Sequence, residues 1–164
     1  MTSKPIFNFQ SGVPLSSWYV VNDGVMGGRS QGNLLVDQKG YGVFSGRISL
    51  ENNGGFSSIR YDCGPTDLKG YRYLVLRIKG DGKRYQFRIK ANKQDYYSYV
   101  SYFDTSGEWQ DVKLPLNTMY AVFRGSRLNL PDFAASSLEE IGILIGNKKA
   151  EEFELLIDEI RLEQ

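Results

Sequence analysis

The stretch Val20–Gly32, VVNDGVMGGRSQG, contains four glycines and is the first place in the sequence where binding chemistry could be expected. Glycine-rich loops bind phosphate through backbone N–H groups where a strand leads into a helix. The spacing of Gly24, Gly27 and Gly28 matches neither the dinucleotide-binding pattern nor the P-loop, since no Gly-Lys-Ser/Thr follows. The residues after it, Asn33–Gly40, are too few and too soon interrupted by glycine to form the required helix. We therefore interpret the stretch as a turn.

The chain contains few residues that could catalyse a reaction. The 164 residues include no histidine, which removes the commonest general base, the usual triads and most zinc sites. The single cysteine, Cys63, cannot form an internal disulfide and is expected to be a small buried filler. We expect no enzymatic activity, no bound cofactor and no metal site. A structural calcium ion near Asp158 and Glu159 is an alternative, although no EF-hand-like series of ligands is present.

Two loops combine glycine with polar side chains and are candidate binding sites. In the first, Asp23 either accepts hydrogen bonds from a ligand or closes its own turn, and the Asn-Asp-Gly sequence favours the turn. Met26 either packs under the loop or offers a soft apolar contact to a partner. We predict that the two loops form one rim, with positive φ at one or more of their glycines. The candidate binding residues of the two loops are Asn22, Asp23, Met26, Arg29, Asn52 and Asn53.

A second group of candidates lies within strand-like segments. Arg60 follows Ser58 on one strand face, and Arg88 and Lys90 alternate with apolar residues on another strand. Tyr99 comes from the next segment, and we expect it to lie beside these cations. Cations next to tyrosines could bind a sugar, a phosphate or an acidic peptide, or could belong to an ordinary solvent-exposed sheet face. Because 20 Lys and Arg residues balance 19 Asp and Glu residues, any such binding must depend on a local cluster.

The elements that position these residues are predicted to be strands. Apolar residues repeat mostly with period two, and tyrosine and phenylalanine are frequent in these segments. Hairpin turns are expected at Gly80–Gly82 and Thr105–Gly107, and a turn or two of helix at Pro131–Glu140. The fold class is all-β: an antiparallel β-sandwich of jelly-roll type, as a single domain over residues 1–164. The predicted strands are Ile6–Phe9, Trp18–Val21, Leu34–Val36, Tyr41–Leu50, Phe56–Asp62, Tyr71–Lys79, Tyr85–Lys90, Tyr96–Phe103, Trp109–Leu114, Glu140–Ile145 and Phe153–Leu162.

No segment has the length and apolar character of a signal peptide or a membrane span. With a lone cysteine, these features predict a cytoplasmic protein. Association with the periphery of a membrane is left open.

Two long motifs, WYVVNDGVMGGRSQG and FSGRISLENNGGFSSIR, resemble the paired signature of the complex I intermediate-associated protein family, the thirty-kilodalton class. The later segments GEWQDVKLPLNTM, FRG at Phe123–Gly125 and IGILIGNKKAEEFELLIDEI resemble the rest of that domain in the same order. The resemblance runs from about Trp18 to the C-terminus. It implies a galactose-binding-like β-sandwich without catalytic residues, and it places Arg124 in a signature position.

The resemblance also implies a function: an assembly factor or chaperone-like protein for a membrane electron-transfer complex, either respiratory complex I or a related photosynthetic complex. Its partner would be a protein client. From the bidentate and stacking chemistry of arginine, we expect Arg60, Arg88 and Arg124 to form the client-binding face. A carbohydrate-binding or other small-ligand module is the first alternative, because sandwiches of this class often bind sugars. An RNA-binding accessory protein is the second, and the near-neutral charge makes it unfavourable.

Overall fold

The structure, a computed structural model, describes residues 3–23 and 28–164, except for the side chain of Asn53. The described residues form thirteen strands, together with short 3-10 helices at Glu51–Asn53 and Leu116–Thr118. The strands are β1 Ser3–Asn8, β2 Trp18–Asn22, β3 Gln31–Val36, β4 Gly42–Ile48, β5 Ser57–Asp67, β6 Tyr73–Lys79, β7 Arg84–Lys90, β8 Ser98–Asp104, β9 Trp109–Pro115, β10 Tyr120–Phe123, β11 Ser126–Arg127, β12 Ser137–Ile145 and β13 Glu151–Glu163.

The strands form two antiparallel sheets. The six-stranded sheet has the order β3-β4-β13-β6-β9, and β1 pairs with the end of β13 beyond β4. The seven-stranded sheet has the order β11-β10-β8-β7-β12-β5-β2. The predicted antiparallel β-sandwich is therefore confirmed.

The core lies between the sheets and follows from the period-two alternation. On β7, Tyr85, Phe87 and Ile89 are buried, while the residues between them face outward. From the opposite sheet, Leu76 and Ile157 are fully buried in the same apolar cluster. One face of the seven-stranded sheet thus packs on the core, and its other face is available for binding.

Two connections predicted as hairpin turns instead join the two sheets. Gly80–Gly82 links β6 to β7, and Thr105–Gly107 links β8 to β9, so each carries the chain from one sheet to the other. The two connections pack on each other, because the Thr105 hydroxyl and amide both donate to the Lys83 carbonyl, at 2.7 and 3.2 Å. Glycine and turn residues mark a reversal of direction, but they do not reveal which sheet receives the next strand.

The helix predicted at Pro131–Glu140 is wrong. The segment is irregular up to Ser136, and β12 begins at Ser137. Its backbone bonds go to distant segments, since Phe133 N donates to Met119 O and Ser136 O accepts from Leu68 N, both at 2.9 Å. Phe133 is buried in the core, and this tertiary packing overrides the weak helical pattern.

Candidate functional site

The two glycine-rich loops meet around one buried carboxylate. Asp23 is 0% exposed, and its Oδ1 accepts from Ser30 N at 2.9 Å. Its Oδ2 accepts from the Ser30 hydroxyl, from Gly55 N at 2.6 Å and from Phe56 N at 3.2 Å. Burial alone would raise the pKa of Asp23, but the hydrogen bonds from Ser30, Gly55 and Phe56 lower it below its ordinary value. The prediction that the loops are adjacent is confirmed.

Two of the described loop glycines, Gly28 and Gly54, are explained by their closeness to Asp23. A Cβ at Gly28 would overlap the Asp23 carboxylate, and a Cβ at Gly54 would lie 2.5 Å from Asp23 Oδ2. Gly55 has φ +146°, which confirms the expectation of positive φ at one of the loop glycines. The described partners of the Asp23 side chain lie seven, thirty-two and thirty-three residues along the chain, and residues 24–27 of its own turn lie outside the described residues. The role of Asp23 is to tie the two loops together.

The outer face of the seven-stranded sheet carries a groove of about 990 Å³, which we call the sheet groove. Its lining combines residues of β5, β7, β8, β10, β11 and β12 with residues of the loops between strands. This volume is within the usual range for small-molecule and peptide-sized sites. The sheet groove is lined by Asp23, Leu50, Gly54, Gly55, Phe56, Arg60, Gln86, Arg88, Lys90, Tyr96, Ser98, Tyr102, Tyr120, Val122, Phe123, Arg124, Gly125, Arg127, Leu144, Gly146 and Lys148.

Two arginines that line the groove flank a glycine of β12. Gly142 on β12 pairs with Arg60 on β5 and with Arg88 on β7. The Nε atom of Arg88 is buried and has no hydrogen-bond partner among the described residues. Burial, and then the positive charge of Arg60, lower the pKa of Arg88 to about 10. Arg88 therefore remains charged at neutral pH, and it forms no ion pair within 4.0 Å among the described residues.

One carboxylate, that of Glu140, lies beside these cations and already accepts a hydrogen bond. Glu140 is 8% exposed and accepts a short hydrogen bond from the Tyr19 hydroxyl. Burial, and then this hydrogen bond to Glu140, raise the pKa of Tyr19 to about 12. Lys90 pairs with Glu140 in the sheet register, and its ammonium donates to the Asp95 carbonyl at 2.8 Å. Burial lowers the pKa of Lys90.

Two further cations stand at the rim in backbone conformations that favour glycine or asparagine. Arg124 has φ +50° and Gly125 has φ +79°, and together they form the two-residue turn between β10 and β11. Lys148 has φ +60° in the loop between β12 and β13. Non-glycine residues held at positive φ are concentrated at functional sites.

Aromatic side chains complete the groove, and they differ from the ones predicted. Tyr96 and Tyr102 are 65% and 39% exposed, and Tyr120 and Phe123 come from the β10–β11 hairpin. The guanidinium of Arg84 lies 4.3 Å from the Tyr102 ring centroid, and that of Arg127 lies 4.3 Å from the Tyr120 ring centroid. These cation–π contacts cover one face of each ring.

Of the predicted binding residues, Arg60, Arg88, Lys90 and Arg124 come together in the sheet groove, and Asp23 lies beneath its wall. Tyr99 does not join them, because it pairs with Ile89 on the core-facing side and packs on Phe133, with ring centroids 5.1 Å apart. This is a correction: the period of β8 points Tyr102 outward in its place.

The remaining candidates lie elsewhere. The Asn22 side chain accepts a hydrogen bond from the Ser57 hydroxyl, and Arg29 forms an exposed 4.0 Å ion pair with Glu51. Asn52 is exposed at φ +54°, as befits a turn residue. Met26 lies outside the described residues, as do Gly24 and Gly27, and the side chain of Asn53 is not described.

In the described ranges 3–23 and 28–164, no residues are arranged to bind a metal ion or to provide a reactive thiol. No group of three or more His, Cys, Asp or Glu residues there could hold a metal ion, and Glu159 forms a 2.7 Å ion pair with Arg161. Cys63 is half-buried against the core, and burial raises the pKa of its thiol. Across the described part of the chain, no helix has the length and hydrophobicity needed to cross a membrane.

Two packed antiparallel sheets with a groove on an outer face define a β-sandwich of galactose-binding-like, jelly-roll type. The chain is similar to the family 11 carbohydrate-binding module from Clostridium thermocellum, solved with a mixed-linked tetrasaccharide, with a TM-score of 0.70 and 15% identity over 99% of this chain and 96% of that one. It is also similar to a family 30 carbohydrate-binding module, with a TM-score of 0.63 and 17% identity over 100% and 99% of the two chains. At these identities the likeness establishes the fold alone.

The sequence comparisons identify the family. The chain belongs to the Complex I intermediate-associated protein 30 (CIA30) family, whose sequence model matches residues 7–157. It is 24% identical over 184 aligned residues to the mitochondrial complex I intermediate-associated protein 30 of Mus musculus. That alignment covers 95% of this chain and 55% of the mouse protein, so the chain spans about half the length of this relative.

Proposed function

We propose that this protein acts in the assembly of complex I or a related membrane electron-transfer complex, by binding a protein client in the sheet groove. Membership of the CIA30 family supports the assembly role, and the mouse relative is named for association with complex I intermediates. The chemistry proposed is binding without catalysis. The mouse relative is mitochondrial, so the expected cytoplasmic location is not general to the family, and we propose that this protein works at the membrane surface that holds its client complex.

The observation that carries the proposal is the composition of the sheet groove. It combines cations with exposed aromatic and apolar walls, which is the mixture found at protein-binding hot spots. The predicted client-binding arginines, Arg60, Arg88 and Arg124, all line it.

The experiment is site-specific photocrosslinking in the source organism. A photoreactive phenylalanine analogue at Tyr102 samples the groove, and the same residue at the exposed Arg47 of β4 samples the opposite sheet. We expect Tyr102 to crosslink to a subunit or assembly intermediate of a membrane electron-transfer complex, and Arg47 not to do so. Crosslinks to the same subunit from both positions, or crosslinks from Tyr102 to ribosomal or metabolic proteins alone, would contradict the proposal.

Carbohydrate binding is the second candidate, because Tyr96 and Tyr102 are exposed aromatic residues in a groove of this fold. Its weakness is that guanidinium groups already cover one face of Tyr102 and of Tyr120. Affinity electrophoresis in gels that contain soluble mixed-linked glucan tests this candidate directly. Retardation of the wild type that is lost in Tyr102→Ala would favour it over the protein client.

A further inference from the structure

The sheet groove has a strong local excess of positive charge. Its lining includes six cationic side chains, and the sole acidic residue among its described lining residues is Asp23, which is buried and saturated by hydrogen bonds. The formal charge of the whole chain is only +1, so the excess is specific to this face. A local field of this kind selects a negatively charged partner. The cations are Arg60, Arg88, Lys90, Arg124, Arg127 and Lys148.

The two groove arginines that flank Gly142 have the geometry of an anion-binding cleft. Arg60 and Arg88 lie on the two strands that flank β12, with Gly142 between them in register. Neighbouring strands are about 4.8 Å apart, so the two arginine Cα atoms are separated by roughly twice that distance. Because Gly142 has no side chain, a small cavity of about 10 Å³ lies beside it, and Arg60, Arg88, Ser98 and Glu140 also line this cavity. A Cβ at Gly142 would itself lie 2.8 Å from the Ile59 carbonyl oxygen.

Glu140 is the one acidic residue among the described residues that line this cleft, and it already accepts a hydrogen bond from Tyr19. Neither Arg60 nor Arg88 takes part in an ion pair among the described residues, although eleven such contacts form elsewhere. The buried Nε of Arg88 lacks a hydrogen-bond partner. Buried polar groups of native proteins are normally hydrogen-bonded, and an exception calls for an explanation such as a missing ligand. A guanidinium fork binds a carboxylate through two parallel hydrogen bonds.

We infer that Arg60 and Arg88 bind an aspartate or glutamate side chain of the client over Gly142, with apolar client residues on either side of it. This inference rests on the proposed function, which supplies a protein as the occupant. The apolar positions follow from Leu50, Val122 and Leu144, which line the groove, and Leu50 is 45% exposed. A single anion would leave most of the 990 Å³ unfilled, whereas a short peptide segment would occupy it.

The first test uses simple anions as probes. In a ¹H–¹⁵N spectrum of the whole protein, the Nε–H resonances of Arg60 and Arg88 should shift saturably with glutarate and much less with chloride at equal ionic strength. The shifts should disappear in Arg88→Gln and Arg60→Gln, and should persist in Arg47→Gln, a matched control on the opposite sheet. No saturable shift at either arginine would overturn the inference. A response to inorganic phosphate without one to glutarate would also overturn it, and would indicate a phosphorylated ligand.

The second test identifies the client chemistry. Random 12-residue peptides displayed on phage are selected on the purified protein, and the recovered peptides should share an Asp or Glu flanked by apolar residues. Changing that acid to its amide should weaken binding about tenfold or more, as should Arg88→Gln, because each change leaves the other charge unpaired. Recovery of peptides that lack a shared acid, or of none above the Arg60→Gln background, would refute the inference. If the crosslinking experiment fails while these two succeed, the assembly role is wrong and the carboxylate cleft stands.

Discussion

Replacing Asp23 by asparagine should be one of the most destabilising conservative substitutions in this protein. The carboxylate is fully buried and accepts hydrogen bonds at both oxygens, three of them from backbone N–H groups. An amide has only one oxygen, so its NH₂ group must face at least one of these donors. The result is a lost charge-assisted hydrogen bond and a buried N–H group without an acceptor.

The expected magnitude follows from these contacts. A hydrogen bond to a charged group contributes about 1.5–3 kcal/mol, and an unsatisfied buried donor costs about 1–3 kcal/mol. Together they predict a loss of about 2.5–6 kcal/mol in the free energy of unfolding. For a chain of this size each kcal/mol shifts the melting temperature by about 2–4 °C, so Tm should fall by roughly 5–24 °C.

The assay is thermal and urea unfolding followed by circular dichroism, with hydrogen exchange at the amides of Gly55 and Phe56. The control is Asp104→Asn, whose side chain is 84% exposed and which should change stability by less than about 0.5 kcal/mol. Asp23→Asn should also speed exchange at both amides, because a hydrogen bond to a neutral amide oxygen is weaker than one to a carboxylate. A Tm within 2 °C of the wild type, with unchanged exchange, would refute the idea that this carboxylate holds the loops together.

The remaining predictions concern acid stability, the loop glycines and the groove cations. The lowered pKa of Asp23 stabilises the native state above the unfolded-state pKa, and this stabilisation is lost below about pH 4. In melting curves recorded over a series of pH values, the difference in Tm between wild type and Asp23→Asn should therefore become smaller below about pH 4. Gly54→Ala should lower the free energy of unfolding by about 1–3 kcal/mol, because its Cβ overpacks against Asp23. Gly107→Ala should leave it unchanged, because its Cβ would meet nothing within 4 Å. Equal urea midpoints for the two variants would contradict this prediction. Arg88→Met should leave the free energy of unfolding unchanged or raise it by about 1 kcal/mol, because it removes a charge whose Nε is buried without a hydrogen-bond partner among the described residues. A loss above about 1 kcal/mol in urea unfolding would instead indicate a structural role for Arg88. Arg124→Asn should leave Tm unchanged, because asparagine tolerates the φ of +50° at this position, while binding of the selected peptides weakens. Unchanged binding in a fluorescence titration would show that Arg124 is not part of the site.

The sequence predicted those parts of the site that depend on simple alternation. Arg88 and Lys90 alternate with large apolar residues, so their outward orientation could be read directly from β7. The segment that becomes β8 was ambiguous, because tyrosines occur at both parities, at Tyr99 and at Tyr102. Only the pairing of Tyr99 with Ile89 decides which one faces the groove. Register is a tertiary property, and a one-residue shift exchanges the two faces.

Short strands and long-range contacts were beyond sequence reasoning for a different reason. β10 and β11 have four and two residues, too few to show a period, yet their hairpin supplies Tyr120, Phe123 and Arg124. The FRG motif at Phe123–Gly125 was the one available signal, and it came from family resemblance. The Asp23 carboxylate accepts hydrogen bonds from Gly55 and Phe56, which lie more than thirty residues along the chain. The local Asn-Asp-Gly pattern carries no sign of these partners and suggested a turn closed by Asp23 itself.

The central claim, that the sheet groove binds the client during assembly, is tested most directly by complementation. A strain of the source organism without the gene receives either Arg60→Ala/Arg88→Ala/Arg124→Ala or the charge-matched control Arg47→Ala/Lys69→Ala/Arg72→Ala, whose side chains are exposed outside the groove. The measurement is the amount of the fully assembled membrane electron-transfer complex on native gels, at equal abundance of the two variants. Loss of the complex with the groove variant and full recovery with the control are predicted. Full recovery with the groove variant would contradict the account.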